Sequence, residues 1–191
     1  MNRDTALWES FRNGDKEAFA ILFRTYYPLL FQFGVKVTTD SALLEDCIQE
    51  LFADIWQSRL PPPVLSVKAY LFKSLRYKLI RVMRNNRHQS SLENVDDYHF
   101  ELSHEHFVIT NQESREKSDN VKSALSFLSN RQKEIIYLKY YQDLSYDEIC
   151  TITDLNYQVA RNLLSQAVKS LKRIISKEAM VVCIFSLLYY N

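Results

Sequence analysis

The sequence predicts an all-α protein built from two small helical domains. Only two glycines and four prolines occur among its 191 residues, and apolar residues recur at helical spacing over most of its length. The pattern is interrupted by a polar, acidic stretch of weak periodicity, which is typical of a linker. We therefore expect a first domain at residues 1–90, a linker at 91–118, a second domain at 119–177 and an apolar extension at 178–191.

Composition and cysteine spacing exclude several classes of protein. The hydrophobic fraction of 47% is that of a globular chain, and the net charge is only +1. Cys47, Cys150 and Cys183 lie far apart without a paired spacing, so we expect a reducing compartment and no disulfide framework. The first residues lack the apolar segment of a secretory signal, and no run reaches the roughly 20 apolar residues of a membrane span. We expect a cytoplasmic protein.

Turn and cap residues divide the first domain into helices. The predicted helices are 5–13, 16–37, 41–58 and 66–87. Asp15 and Asp40 are the expected N-caps of the second and third helices. Pro28 is expected to kink the second helix or split it in two, because proline removes a backbone donor. The three prolines within residues 59–65 exclude a helix there and predict a stiff, extended loop.

Charge is segregated between two neighbouring helices of this domain. The helix at 66–87 has no acidic residue, and its basic residues are Lys68, Lys73, Arg76, Lys78, Arg81, Arg84 and Arg87. A stripe of one sign opposite an apolar face indicates a surface that meets a polyanion, because like charges at helical spacing repel. The preceding helix, at 41–58, presents a strongly acidic face. From the residues alone, pairing of these two helices within the molecule is the alternative to external partners.

Capping signals in the second domain predict a helix-turn-helix. The predicted helices are 120–128, 130–141, 146–152 and 157–177. Ser129 with Gln132, and Ser145 with Glu148, have the spacing of capping boxes. A short helix, a tight turn and a longer helix in this order are the elements of the motif. Its expected inward-facing residues are Leu144, Ile149, Cys150, Leu155, Ala160 and Leu163.

The turn and second helix of this motif supply the candidate DNA contacts. Asp154 occupies a position that favours a left-handed backbone, and Asn156 is the expected cap of the last helix. In such a motif the second helix enters the major groove. Its candidate contact residues are Tyr157, Gln158, Arg161, Asn162, Ser165 and Lys169. Arg, Gln and Asn pair with base edges, whereas Lys and Ser more often contact phosphate. The alternative is that these residues form an ordinary exposed polar face.

Two segments resemble those of bacterial RNA polymerase sigma factors of the sigma-70 family. Residues 43–56, LLEDCIQELFADIW, and the basic helix after them are similar to region 2 of that family. Residues 124–149, ALSFLSNRQKEIIYLKYYQDLSYDEI, and the final helix are similar to region 4. These two regions alone are the layout of the extracytoplasmic-function (ECF) class. The resemblance implies a factor that binds core RNA polymerase and directs transcription from promoters with −10 and −35 elements.

The resemblance also implies roles for particular residues. The acidic helix would dock on the clamp helices of the largest polymerase subunit, through Glu45, Asp46, Gln49, Glu50, Phe52 and Trp56. The basic helix and the loop before it would hold the −10 element with one base flipped from the stack. The residues implied there are Lys73, Arg76, Tyr77, Arg84 and Arg87. The final helix would read the −35 element. The family further implies promoter DNA and an anti-sigma factor as partners, and no catalysis, cofactor, metal or small-molecule substrate.

Departures from the family pattern leave alternatives. Asp154 stands where a glycine is common, Leu163 replaces a frequent basic residue, and the triple proline is unusual in the −10 loop. One alternative is a stand-alone helix-turn-helix regulator, which would not need the acidic helix. A hydrolase would need a metal site, and its candidate ligands are His99, His104 and His106. That reading is disfavoured because a phosphate loop and a nucleophile elbow are lacking. The apolar tail at 179–190 is expected to form a helical extension that shields a binding surface.

Overall fold

Helices make up most of the chain that the structure describes. The computed structural model describes residues 3–58, 61–86, 98–102 and 125–174. Within these ranges every regular element is a helix and no strand occurs, so the predicted all-α fold is confirmed. Contacts divide the chain into two compact units, Met1–Tyr98 with Thr151–Thr153, and His99–Cys150 with Asp154–Asn191. The domain boundaries expected from the sequence remain predictions.

Helix caps in the first unit follow the sequence signals. Its helices are α1 (Arg3–Arg12), α2 (Lys16–Gly34), α3 (Ser41–Gln57) and α4 (Val67–Asn86). Gly14 separates α1 from α2 at a φ of +97°, which glycine adopts without strain. The Asp15 side chain accepts hydrogen bonds from the backbone N–H groups of Glu17 (2.9 Å) and Ala18 (3.1 Å). The Asp40 side chain accepts one from Leu43 at 3.0 Å. Both predicted N-caps are confirmed.

Helix α2 continues through Pro28, so of the two predicted outcomes, a kink or a split, the split does not occur. Proline removes one backbone hydrogen bond, but Pro28 itself is exposed while Tyr26 and Leu30 on either side of it are buried. Burial of these large side chains offsets the missing bond. At the end of α2, Gly34 permits a close approach of α3, because a Cβ there would collide with the Leu44 side chain.

A shared core fixes the positions of α3 and α4. Helix α2 packs against α1, α3 and α4, and α3 packs against α4. The largest fully buried side chains of this unit are Trp8, Leu22, Tyr26, Leu30, Phe33, Leu44, Ile48, Leu71, Phe72, Leu75 and Leu79. Each such side chain contributes about 1.5–3 kcal/mol on full burial. Apolar packing therefore holds the acidic and the basic helix in place, and their outer faces are available for other roles.

Both predicted capping boxes of the C-terminal half are confirmed. The helices here are α5 (Asn130–Ile136), a π-helix (Tyr137–Tyr141), α6 (Tyr146–Thr153) and α7 (Tyr157–Ile174). Ser129 caps α5 and Ser145 caps α6, and each serine backbone N–H donates in return to the side chain three residues on. Asn156 accepts a hydrogen bond from the backbone N–H of Val159 at 2.9 Å, as expected of the cap of α7. A helix-turn-helix is thus present.

The π-helix was not predicted. The sequence predicts one helix at 130–141, but the backbone N–H of Gln142 donates to the Tyr137 carbonyl oxygen at 3.1 Å, five residues back. The Tyr137 ring is buried, and its hydroxyl oxygen accepts a hydrogen bond from Gln142 Nε2 at 2.9 Å. Burial raises the pKa of Tyr137, against a smaller lowering by the Gln142 hydrogen bond. This tyrosine is therefore a neutral, structural side chain.

The inward face of the helix-turn-helix is only partly as predicted. Leu144, Ile149 and Ala160 are buried as expected, and Cys150 and Leu155 are partly buried. Leu163 is only partly buried, whereas the next residue, Leu164, is 5% exposed. Leu164 and not Leu163 thus fills the core, because it lies four residues after Ala160 on the same side of α7.

Asp154 adopts the left-handed conformation predicted for the turn, with φ 56° and ψ 24°. Changing it to Ala or to Gly removes the same side-chain contacts, but only Ala carries a Cβ into this conformation. We expect Asp154→Gly to have a free energy of unfolding about 1 kcal/mol higher than Asp154→Ala. Urea denaturation measures the difference. The same pair at exposed Gln166, within α7, should show the opposite order. Equal stability of the two Asp154 variants would contradict the expectation.

Part of the expected linker is packed and not solvated. Tyr98, Phe100 and Leu102 are buried, while His99 and Glu101 between them are exposed. These side chains are shielded because Tyr98 packs on Arg76 and Phe100 packs edge-on against Tyr137. The rest of the linker and the apolar tail at 178–191 lie outside the described residues.

Candidate protein and nucleic-acid interfaces

The acidic face of α3 is exposed. Glu45, Asp46 and Gln49 lie on its outer side, opposite the buried Leu44 and Ile48. This orientation follows from the helical repeat, which turns residues at the spacing of Leu44 and Ile48 inward. In the part of the chain that the structure describes, no basic side chain lies within ion-pair distance of Glu45 or Asp46. These two carboxylates are therefore available to a partner.

Pairing between the acidic and basic helices occurs at Lys78. Lys78 Nζ lies 2.9 Å from Glu50 Oε2 and 3.1 Å from Asp54 Oδ2. Burial lowers the pKa of Lys78, but the hydrogen bonds and charges of Glu50 and Asp54 outweigh it and raise the pKa overall. Both carboxylates keep about two thirds of their surface, at 65% and 69% exposed. Charge pairing within the molecule thus involves Glu50 and Asp54. It does not explain why Glu45 and Asp46 are acidic and exposed.

The two aromatic residues predicted on this face have different environments. Phe52 is 4% exposed, with its ring packed edge-on against Phe19 and Phe23. It therefore belongs to the core and does not present a surface to a partner. Trp56 is 46% exposed, and its inner side contacts Phe11 and Phe19. An exposed indole beside carboxylates is typical of a protein-binding surface.

The residues of α4 that were predicted to hold the −10 element do not share one exposed face. Tyr77 and Arg84 are exposed and Lys73 is partly exposed. Arg76 is 5% exposed, because Tyr98 covers it: the guanidinium lies 5.0 Å from the Tyr98 ring centroid and donates to its hydroxyl at 3.4 Å. Arg76 is thus removed from the surface that the sequence predicted for it. Arg87 lies outside the described residues.

A groove runs between the end of α3, the prolines after it and the outer side of α4. It has a volume of about 450 Å³. Its polar and aromatic lining includes Asp54, Tyr70, Ser74, Tyr77, Lys78 and Arg81, and Pro61 and Pro62 form one edge. Of these, the family resemblance implied only Tyr77 and the proline-containing loop, whereas Lys78 and Arg81 were among the basic residues expected to meet a polyanion. Ser74, Lys78 and Arg81 recur at helical spacing with Tyr77, but the groove exists only because the loop folds back beside them.

The six candidate residues of α7 all lie on its exposed face. They are Tyr157, Gln158, Arg161, Asn162, Ser165 and Lys169. The opposite side, with Ala160, Leu164 and Ala167, is buried. Gln158 Nε2 donates to Asn162 Oδ1 at 3.1 Å, so these two amides are aligned one turn apart. The exposed side therefore offers amide, guanidinium and ammonium groups, which suit base edges and phosphates.

The described residues form neither a metal site nor a membrane-spanning helix. In the described ranges, no group of three or more His, Cys, Asp or Glu side chains is arranged to hold a metal ion. His99 is exposed, and the other two candidate ligands, His104 and His106, lie outside those ranges. Among the described helices, none is both long and apolar enough to span a bilayer.

The chain has a helical domain with an exposed acidic face, followed in sequence by a helix-turn-helix. This combination is typical of a DNA-binding transcription factor. Sequence models of two known regions match the chain: sigma-70 region 2 at residues 22–89 and sigma-70 region 4 at residues 118–171. The chain belongs to the sigma-70 family of RNA polymerase sigma factors, which act in transcription initiation, and it has the two-region layout of the ECF class. A stand-alone regulator is not better supported, because region 2 matches as well.

Known sigma factors are similar over most of the chain. RNA polymerase sigma factor SigV of Bacillus subtilis is 27% identical over 154 residues, which cover 80% of this chain and 86% of SigV. The ECF RNA polymerase sigma factor RpoE of Cereibacter sphaeroides is 23% identical over 161 residues, covering 83% of this chain and 87% of RpoE. Among solved structures, CnrH in complex with the cytosolic domain of CnrY has a similar fold, with a TM-score of 0.61 and 18% identity. That similarity covers 90% of this chain and 96% of CnrH.

Proposed function

We propose that this sigma factor binds core RNA polymerase through the exposed face of α3, at Glu45, Asp46, Gln49 and Trp56. The observation that carries the proposal is the exposure of Glu45 and Asp46 without an ion pair in the described part of the chain. A basic helical surface such as the polymerase clamp helices complements these carboxylates, and Trp56 supplies an apolar anchor. Glu50 would contribute with its remaining exposed surface, whereas buried Phe52 would support Trp56 from within.

The groove beside α4 is the proposed site for the −10 element. Arg81 supplies positive charge for the backbone of a single strand, whereas Lys78 is paired with Glu50 and Asp54. Tyr70 and Tyr77 supply aromatic surface for stacking. Stacking contributes about 1–3 kcal/mol per base, which offsets the few kcal/mol needed to unpair one. Lys73 and Arg84 extend this surface along α4. Arg76 would act only after Tyr98 moves away.

The exposed side of α7 is the proposed reader of the −35 element. Arg161, Gln158 and Asn162 would contact base edges, and Ser165 and Lys169 would contact phosphate. Tyr157 packs against Tyr146 at a ring-centroid distance of 5.3 Å, which fixes it at the start of the recognition helix.

The free Cys47 and Cys150 thiols have pKa values raised chiefly by burial, so neither is an activated nucleophile. We further propose that the factor has no catalysis of its own and works in the cytoplasm with polymerase.

We also propose an anti-sigma factor as a regulatory partner. The fold is similar to that of CnrH, whose solved structure contains the cytosolic domain of CnrY. A protein that covers the exposed face of α3 would block polymerase binding directly. The same surface would then serve two competing partners.

Transcription in vitro tests the proposed function. The purified chain and core polymerase are combined on a library of promoters with randomised −10 and −35 positions, and transcripts are sequenced. We expect transcripts only when both proteins are present, with preferences at both elements. Binding of the chain to duplex DNA without polymerase, together with no transcription, would contradict the proposal and favour the stand-alone regulator.

A further inference from the structure

Helix α1 holds the loop of prolines that borders the groove. This segment, Pro61–Ser66, is called the proline loop below. The indole Nε1–H of Trp8 donates to the Pro62 carbonyl oxygen at 2.9 Å, and Nε of Arg12 donates to the Pro61 carbonyl oxygen at 2.7 Å. Two donors one turn apart on α1 thus bind two consecutive carbonyls that lie about 50 positions later in the sequence.

The chemistry of proline explains why side chains are needed here. Consecutive prolines have fixed φ angles and no N–H groups, so they are stiff but cannot anchor themselves by backbone donors. Their carbonyl oxygens remain strong acceptors that require partners when they are shielded from water. Pro61 is buried, and its carbonyl oxygen accepts the hydrogen bond from the Arg12 guanidinium. The Pro62 carbonyl oxygen accepts the one from the Trp8 indole. The loop is therefore tied to α1 by these two side-chain hydrogen bonds.

The two donors are themselves fixed. Trp8 is 1% exposed, and its ring packs edge-on against Tyr70, with centroids 5.3 Å apart. Tyr70 lines the same groove as Pro61 and Pro62. Arg12 is held by Glu9, whose Oε2 lies 2.7 Å from Arg12 Nη1. Through Trp8, one rigid indole thus contacts both the loop edge and the α4 side of the groove.

We propose that Trp8 and Arg12 are positioning residues that fix the proline loop against α4 and so set the shape of the groove for the −10 strand. The expected effect on −10 recognition rests on the proposed function. The anchoring of the proline loop by α1 does not depend on any partner. Neither residue touches the nucleic acid. Their effect is expected at the −10 positions that the loop borders and not at the −35 element.

The anchoring is tested on the full chain without polymerase or DNA. In a ¹⁵N-labelled sample the two tryptophans give two indole signals, and Trp56, at 46% exposed, serves as the internal reference. Arg12→Met removes one anchor and keeps the alkyl chain. We expect the solvent exchange of the Trp8 indole proton to accelerate about fivefold or more, the scale of one lost hydrogen bond, with Trp56 unchanged. The matched control is Arg24→Met, which removes an exposed cation from α2. Unchanged Trp8 exchange in Arg12→Met would overturn the proposal.

The consequence is tested on the promoter library. We expect Arg12→Met to change the relative transcription from promoters that differ at −10 positions by about fivefold. Preferences at −35 positions should stay as in the wild type. Arg12→Lys keeps a donor and should retain most of the wild-type profile. A uniform loss over all promoters would show general destabilisation and overturn the positioning role. If the wild-type chain gives no transcripts, the proposed function fails, while the exchange experiment still decides whether α1 anchors the loop.

Discussion

Neutralising Glu45 and Asp46 together, as Glu45→Gln with Asp46→Asn, is expected to weaken binding to core RNA polymerase by about 100-fold. The reason is that truncating one side of a desolvated charge pair typically costs about 2–5 kcal/mol, much of it from the partner charge left unpaired. Both side chains are exposed and make no ion pair with a described residue, so the fold should be unaffected. Binding is measured by titration of labelled chain with core polymerase, and folding by thermal denaturation.

A matched control separates this site from a general charge effect. Glu17→Gln with Glu101→Gln removes the same total charge from exposed positions outside α3. We expect polymerase affinity within about twofold of the wild type, because distant exposed charges are screened by salt. Equal losses in the two double variants would contradict the assignment of the α3 face. Glu50 is unsuitable as a third substitution, because its loss would also change the pairing of Lys78.

Replacing Arg161 with Ala is expected to remove most of the discrimination at one or two −35 positions. A bidentate guanidinium–base contact contributes about 1–3 kcal/mol of discrimination, which is a tenfold change or more in the middle of that range. Arg161 is exposed on the outer side of α7, so its loss should not unfold the helix. The measurement is promoter selection by the holoenzyme on templates that differ only in the −35 element.

Lys169→Ala provides the contrast. Lys169 lies two turns further along the same face, and it is assigned to phosphate. Its loss should weaken binding about equally on all −35 sequences and lower the salt dependence by about one unit of slope. If Arg161→Ala also weakens all sequences equally, Arg161 contacts phosphate and not a base edge.

Local signals predicted the helices and their caps, whereas long-range contacts could not be predicted. Asp15, Asp40 and Asn156 were recognisable as caps because each accepts a hydrogen bond from a backbone group within three residues. The left-handed turn at Asp154 follows from the same short-range logic. The π-helix depends on how buried Tyr137 packs, and apolar periodicity carries no signal for that.

Predictions for the candidate site were limited by the same distinction. The exposed face of α7 followed from helical periodicity, and so did the acidic face of α3. The burial of Arg76 depends on Tyr98, which is 22 residues away, and the groove depends on bonds from α1 to a loop about 50 residues away. One-dimensional spacing does not contain these contacts. The basic stripe and the family resemblance both placed Arg76 on the surface, since no local feature distinguishes it from Arg84.

The π-helix has a consequence for comparing this chain with its relatives. A π turn closes over five residues where an α turn closes over four, so Tyr137–Tyr141 accommodates an extra residue without displacing what lies beyond it. Deleting one residue from this segment would convert it to regular α geometry. Relatives aligned to this chain should therefore show a one-residue gap here more readily than anywhere else between the two capping serines, Ser129 and Ser145.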